Sequence, residues 1–241
     1  MHSYDVFKDA GELADYVASL SVDLLSKAVQ NQGYAVWVVA GGSTPSLAYG
    51  IISTKYASSL DWSKVYVILG DERVSEESSD SNWLAIKEEL LDKLAFDAHK
   101  LITPKHSGSL ESAASDYTKK LEQLFTSLGN ASVDLMWLGM GEDGHTLSFF
   151  PGQEDLFKNK DLVVAVSNSP KPPPGRISLN PFALEETKCC LLIAAGQGKA
   201  WAIEELTKED KTLPISRTLQ AIASSGGDTR VLLDKDASAR V

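Results

Sequence analysis

The chain has 241 residues, 43% hydrophobic and 23% charged, enough to close one substantial core, so residues 1–241 are read as a single domain. Its net charge of -10 disfavours nucleic-acid and anionic-lipid partners, and an anionic ligand must then be held by a few deliberately placed cations. No apolar run approaches the ~18 residues of a membrane span, and the start at Met1, His2, Ser3, Tyr4 and Asp5 lacks a basic flank with an apolar stretch, so the expected compartment is the cytoplasm.

Asp9, with Glu12 three residues on, predicts a capped helix start, and Leu13, Tyr16, Val17, Leu20 and Leu24 fall on one face of that helix. Residues 35–40 form a continuous apolar run of strand length, as do 65–69, 133–138, 162–166, 189–195 and 230–233. Between them, Trp83, Ile86, Leu90 and Leu94 mark one amphipathic helix. Leu110, Ala114, Tyr117, Leu121, Leu124 and Leu128 mark another, with Gly129 as its stop. The only cysteines, Cys189 and Cys190, are neighbours whose side chains point to opposite faces of a strand. That excludes a disulfide framework and fits a reducing compartment. Strands that are apolar throughout need cover on both faces, which the intervening helices supply. The fold class is therefore α/β, a three-layer domain with a mostly parallel sheet. Ligands of such sheets bind beyond the carboxyl ends of the strands, which directs attention to the loops there.

After residue 40 come Gly41, Gly42, Ser43, Thr44 and Pro45, then a helix through Leu47 and Tyr49. Glycines permit a sharp turn, Ser43 or Thr44 suits a cap, Pro45 suits the first helical turn, and exposed N–H groups there suit an anion. Beyond Leu69 stand Gly70, Asp71, Glu72 and Arg73, a charge run whose arginine fits a planar oxyanion. After residue 138 the chain reads Gly139, Met140, Gly141, Glu142, Asp143, Gly144, His145, Thr146. The three glycines match G-x-G-x-x-G, but Pro151 stops any long helix and no acidic residue ends a strand about 20 positions on, so a dinucleotide site is rejected. The loop instead holds Asp143 and His145 at the cleft mouth, where an imidazole can take a proton from water near neutral pH. His2, His99 and His106 have no comparable setting. Lys171, three prolines, Gly175 and Arg176 read as a stiff extended loop. Gly196, Gln197, Gly198 and Lys199 are no Walker A loop, since Ile193 and Ala200 occupy required positions, yet Lys199 offers a point charge at a helix start.

Together these loops resemble the 6-phosphogluconolactonase family, through G-G-S-T-P at 41–45, D-E-R at 71–73, D-S-N at 80–82, G-M-G-E-D-G-H-T-L-S-F-F-P at 139–151, S-P-K-P-P-P-G-R-I-S-L at 169–179 and G-Q-G-K at 196–199. The resemblance implies the Rossmann-like fold shared with glucosamine-6-phosphate deaminases and hydrolysis of a phosphorylated sugar lactone in the oxidative pentose phosphate pathway, without metal or cofactor. It places His145 as general base with Asp143 beside it, and Gly42, Ser43, Thr44, Asp71, Arg73, Arg176 and Lys199 on the substrate. After Lys208 the family often has a His-Thr element; Asp228 and Thr229 stand there without a histidine, so nothing is carried over. An amino-sugar phosphate deaminase or isomerase is the nearest alternative, opposed by Arg73 and by the carboxylate-free Leu147, Ser148, Phe149 and Phe150. A non-catalytic sugar-phosphate-binding protein is the other. Monomer or weak homo-oligomer is the expected state.

Overall fold

The computed structural model describes residues 3–75, 80–105, 108–184, 186–208 and 212–241; His2 and His106 lie outside them. In chain order the elements begin with β1 (Ser3–Phe7), α1 (Ala10–Gln32), β2 (Ala35–Val39), α2 (Ser43–Lys55), β3 (Val65–Leu69), β4 (Asp71–Arg73), α3 (Asn82–Glu89), β5 (Leu101–Ile102) and α4 (Leu110–Leu128). They continue with β6 (Ser132–Val133), β7 (Leu135–Leu138), β8 (Val163–Val166), β9 (Arg176–Leu179), β10 (Glu186–Thr187), β11 (Cys189–Ala194), α5 (Ala200–Thr207), α6 (Pro214–Ser224) and β12 (Asp228–Asp234).

The main sheet has seven strands in the order β1-β12-β11-β7-β2-β3-β5, and every neighbouring pair is parallel. Its strand side chains alternate between two buried clusters. Trp37, Trp137, Cys189 and Leu191 meet α1, α2 and α3 on one face, while Val38, Met136, Cys190 and Leu192 meet α4, α5 and α6 on the other. This is the three-layer arrangement that the apolar runs require. Burial pushes the Cys189 thiol up to about 11, with Asp228 adding to the effect, and raises Cys190 further above its ordinary value. Both thiols are therefore poor nucleophiles.

Asp9 caps α1 by accepting from the Glu12 N–H at 2.9 Å, and the Glu12 carboxylate reaches back to the N–H of Lys8. Leu13 and Val17 are buried, but Tyr16 turns outward against Phe7 and stays partly exposed. Gly129 ends α4 in the left-handed region as expected. Leu94 falls outside the short α3, which breaks into a 3-10 turn at Leu91–Lys93. Residues 133–138 are two strands rather than one: at Asp134 the backbone N–H donates to the Val36 carbonyl, while the side chain accepts the Val36 N–H at 2.8 Å and pairs with Lys188.

A larger departure concerns residues 162–166. Instead of joining the parallel sheet, β8 pairs antiparallel with β9, which pairs antiparallel with β4. An apolar run shows that a strand is buried on both faces; it does not name the strand's partner. The charge run at 71–73 is likewise a strand, and Arg176, at the end of the loop over 171–175, is the first residue of β9.

Candidate active site

Strand order reverses between β2 and β7, and the loops leaving their carboxyl ends flank the crevice that this topology opens. Each surrounding loop is pinned from outside itself. The Tyr49 hydroxyl donates to the Ala40 carbonyl at 2.8 Å and accepts its N–H, fixing the end of β2. The Tyr117 hydroxyl donates to the Leu69 carbonyl at 2.6 Å, fixing the end of β3. The Asp234 carboxylate accepts the Gly196 N–H, fixing the turn after β11. Gly42, at φ 111°, precedes α2 without any side-chain cap. Ser43 and Thr44 are thus helical residues rather than caps, and the first N–H groups of α2 remain available to a ligand.

The loop after β7 closes on itself. Thr146 Oγ1 donates to the Gly139 carbonyl at 2.8 Å, and the Gly141 N–H donates to the His145 carbonyl at 2.8 Å. The backbone N–H of Ile215, from α6, donates to the Gly144 carbonyl at 3.1 Å. Within this frame His145 Nδ1 lies 2.5 Å from Asp143 Oδ1, and the ring leans on Phe150 with centroids 4.5 Å apart. Gly141 has to be glycine, because a methyl group there would overlap both the imidazole and the Asp143 carboxylate. The His145 side chain is 19% exposed, so water reaches it. Burial alone would raise the Asp143 carboxyl. The hydrogen bond and charge of His145, with Lys171 at 3.6 Å, reverse that and hold it well below the usual carboxylate range.

The opposite wall comes from the three-stranded sheet. Arg73 and Arg176 are direct cross-strand partners, and Asp71 faces Ser178 two residues along, so all four side chains share one face. Burial lowers the Arg176 guanidinium from its ordinary value, and Arg73 lowers it further. Arg176 Nε donates to the Pro173 carbonyl, and Nη2 donates to those of Lys171 and Pro172, at 3.0 to 3.2 Å. Arg73 Nη1 donates to the Asp80 carbonyl, while its buried Nε has no hydrogen-bond partner among the described residues. Asp71 accepts from the Ser148 hydroxyl at 2.7 Å. Glu72 is fully buried and takes no part in the cleft; it accepts the N–H groups of Arg73, Asn82 and Trp83 and the hydroxyl of Ser81, and so organises the start of α3.

Gly42, Ser43, Thr44, Asp71, Arg73, His145, Arg176 and Lys199 line one cleft of about 340 Å³, with Asp143 directly behind His145. Burial lowers the Lys199 ammonium, with Glu142 acting against it and Lys171 with it. Asn82, Leu147, Phe150 and Lys171, to which the sequence reading gave no place on the substrate, line the same cleft. Leu147 holds φ 52°, a conformation costly for a side-chain-bearing residue and often found beside functional groups. Among the described residues no three of His, Cys, Asp and Glu converge as metal ligands.

The family model for glucosamine-6-phosphate isomerases/6-phosphogluconolactonase matches residues 8–229. The chain belongs to this family. Among curated relatives, 6-phosphogluconolactonase of Bos taurus is 32% identical over 237 residues, covering 97% of this chain and 91% of the relative. The 6-phosphogluconolactonase 3, chloroplastic, of Arabidopsis thaliana is 31% identical over 234 residues, covering 93% of this chain and 71% of the relative. A crystal structure of a 6-phosphogluconolactonase from Shewanella baltica superposes with a TM-score of 0.81 at 28% identity, covering 97% of this chain and 98% of that one. The Rossmann-like fold inferred from the family's loops is thus the fold found. No helix among the described residues is long and apolar enough to cross a membrane.

Proposed function

We propose that this chain hydrolyses 6-phospho-D-glucono-1,5-lactone to 6-phospho-D-gluconate, the second step of the oxidative pentose phosphate pathway. The supporting observation is the Asp143–His145 pair in a water-accessible cleft whose other wall is cationic. Asp143 accepting at Nδ1 leaves Nε2 as the basic nitrogen. His145 takes a proton from water as the water oxygen attacks the lactone carbonyl. The resulting oxyanion collapses, the bond from carbonyl carbon to ring oxygen breaks, and His145 returns the proton to that oxygen. Backbone N–H groups of the glycine loops stabilise the oxyanion. Arg73, Arg176 and Lys199 bind the phosphate, with Gly42, Ser43 and Thr44, while Asp71 accepts from sugar hydroxyls.

The Leu147 to Phe150 segment offers no carboxylate to the cleft, which favours the lactonase over an amino-sugar phosphate deaminase. The protein acts in the cytoplasm as a monomer or weak homo-oligomer, with no nucleic-acid partner. Continuous titration of acid released from freshly generated 6-phosphogluconolactone tests the assignment. His145→Ala lowers turnover by ~10²- to 10⁴-fold with substrate affinity nearly kept. Undiminished turnover in that variant removes His145 as the base, ammonia release from glucosamine 6-phosphate supports the deaminase, and binding without turnover supports a sensor.

A further inference from the structure

Lys171 is fixed at its backbone and partly exposed along its side chain. Its carbonyl accepts from Arg176 Nη2 at 3.2 Å and from the Ser169 hydroxyl at 2.9 Å, while its N–H donates back to Ser169 Oγ at 3.2 Å. The adjoining Pro172 and Pro173 carbonyls are held by the same guanidinium. From this anchored turn the side chain, 46% exposed, reaches into the cleft and sets its ammonium 3.6 Å from the carboxylate oxygen that His145 uses. Lys199 lies on the same cleft, close enough for Lys171 to depress its ammonium, with Glu142 and Asp143 as the neighbouring anions. The charged groups on the imidazole's side of the cleft are thus Asp143, Lys171, Lys199 and Glu142, and on the opposite wall Asp71, Arg73 and Arg176.

Two cations sharing one carboxylate respond to an incoming dianion. We propose that Lys171 is the positioning residue through which bound phosphate strengthens the His145 base. In the empty cleft its ammonium draws on Asp143; the phosphate held by Arg73, Arg176 and Lys199 takes that ammonium as well and leaves the carboxylate to the imidazole. A part of the substrate remote from the reacting carbonyl then raises turnover as well as affinity. The inference rests on the lactonase reading above, and it makes phosphorylation of the substrate a requirement for rate, not for capture alone.

The test divides the substrate into two pieces, unphosphorylated D-glucono-1,5-lactone and inorganic phosphate, with acid release corrected for rates without enzyme. In the wild type, saturating phosphate accelerates hydrolysis of the unphosphorylated lactone by about three- to tenfold, a small part of what general-base catalysis supplies. Lys171→Met hydrolyses that lactone without phosphate at the wild type's activated rate, and phosphate changes its rate by less than about twofold. Lys171→Arg keeps the activation. With the phosphorylated lactone, Lys171→Met raises KM about tenfold, as the loss of one charged contact does, and leaves kcat within about twofold. A purely structural role for Lys171 instead lowers the phosphate-free rate of Lys171→Met, and that result overturns the proposal. So does full activation persisting in Lys171→Met, or a wild type that turns over the phosphorylated lactone but gains nothing from added phosphate. A wild type inactive on the phosphorylated lactone removes the lactonase reading itself.

Discussion

The seven-stranded parallel sheet and the three-stranded antiparallel sheet supply opposite kinds of group to one cleft. Strand ends of the parallel sheet give tight glycine turns, free N–H groups and the Asp143–His145 pair, each loop pinned by a distant donor or acceptor. The antiparallel sheet gives side chains from within its strands: Asp71, Arg73 and Arg176, spaced by the pleat and aligned by register. In the proposed mechanism the chemistry comes from the first, and the guanidiniums of the second capture the anion together with Lys199 and the start of α2. Substitutions in the two regions are therefore expected to separate into losses of kcat and rises of KM.

The largest effect belongs to Gly141→Ala. Its methyl displaces the imidazole and its carboxylate partner together, so kcat falls about 10²- to 10³-fold, close to His145→Ala, while KM stays within a few fold. A kcat near wild type would show that the pair need not lie as it does. Asp143→Asn keeps the shape but not the charge, and lowers kcat about 10- to 100-fold. The same variant has a thermodynamic signature. The folded Asp143 carboxyl is depressed, so its contribution to stability is complete above the unfolded carboxyl range and is lost as pH falls towards the folded value. Solvent reaches the pair, which limits that contribution to ~1 kcal/mol or less. In urea melts Asp143→Asn should trail the wild type at pH 6 and converge with it in strong acid. Arg73→Ala should mainly raise KM, about tenfold or more, with kcat nearly kept. A kcat loss larger than the KM rise would erase the division between the two sheets.

How much was legible in the sequence follows the same line. Strands buried on both faces carry continuous apolar runs, so β2, β3, β11 and β12 stood out, and the glycine-flanked His145 stood out because its setting is local. The three-residue β4 is made wholly of charged residues, and its partner lies about a hundred positions away, so no local period marks it. The edge strand β1 is largely exposed and carries no continuous apolar run, and β5 has two residues. Glu72 could be numbered but not placed; the nearest signal was Ser81 and Asn82 ahead of a helix, a start whose free N–H groups a buried carboxylate satisfies. Lys171 escaped because its position depends on the Arg176 fork gripping consecutive carbonyls, a contact no spacing rule encodes.

The register that sets Arg73 opposite Arg176 has a cost for the unliganded protein. Two guanidiniums are held abreast, with Asp71, Glu72 and Asp80 offsetting part of their repulsion. An occupying anion relieves that repulsion, so folding and ligation are thermodynamically linked at this spot. Melting temperature should consequently climb with millimolar sulfate or phosphate more than with equal ionic strength of chloride, and Arg73→Ala should flatten the difference. A preparation dialysed into dilute, anion-poor buffer would then be the least heat-resistant form of this molecule.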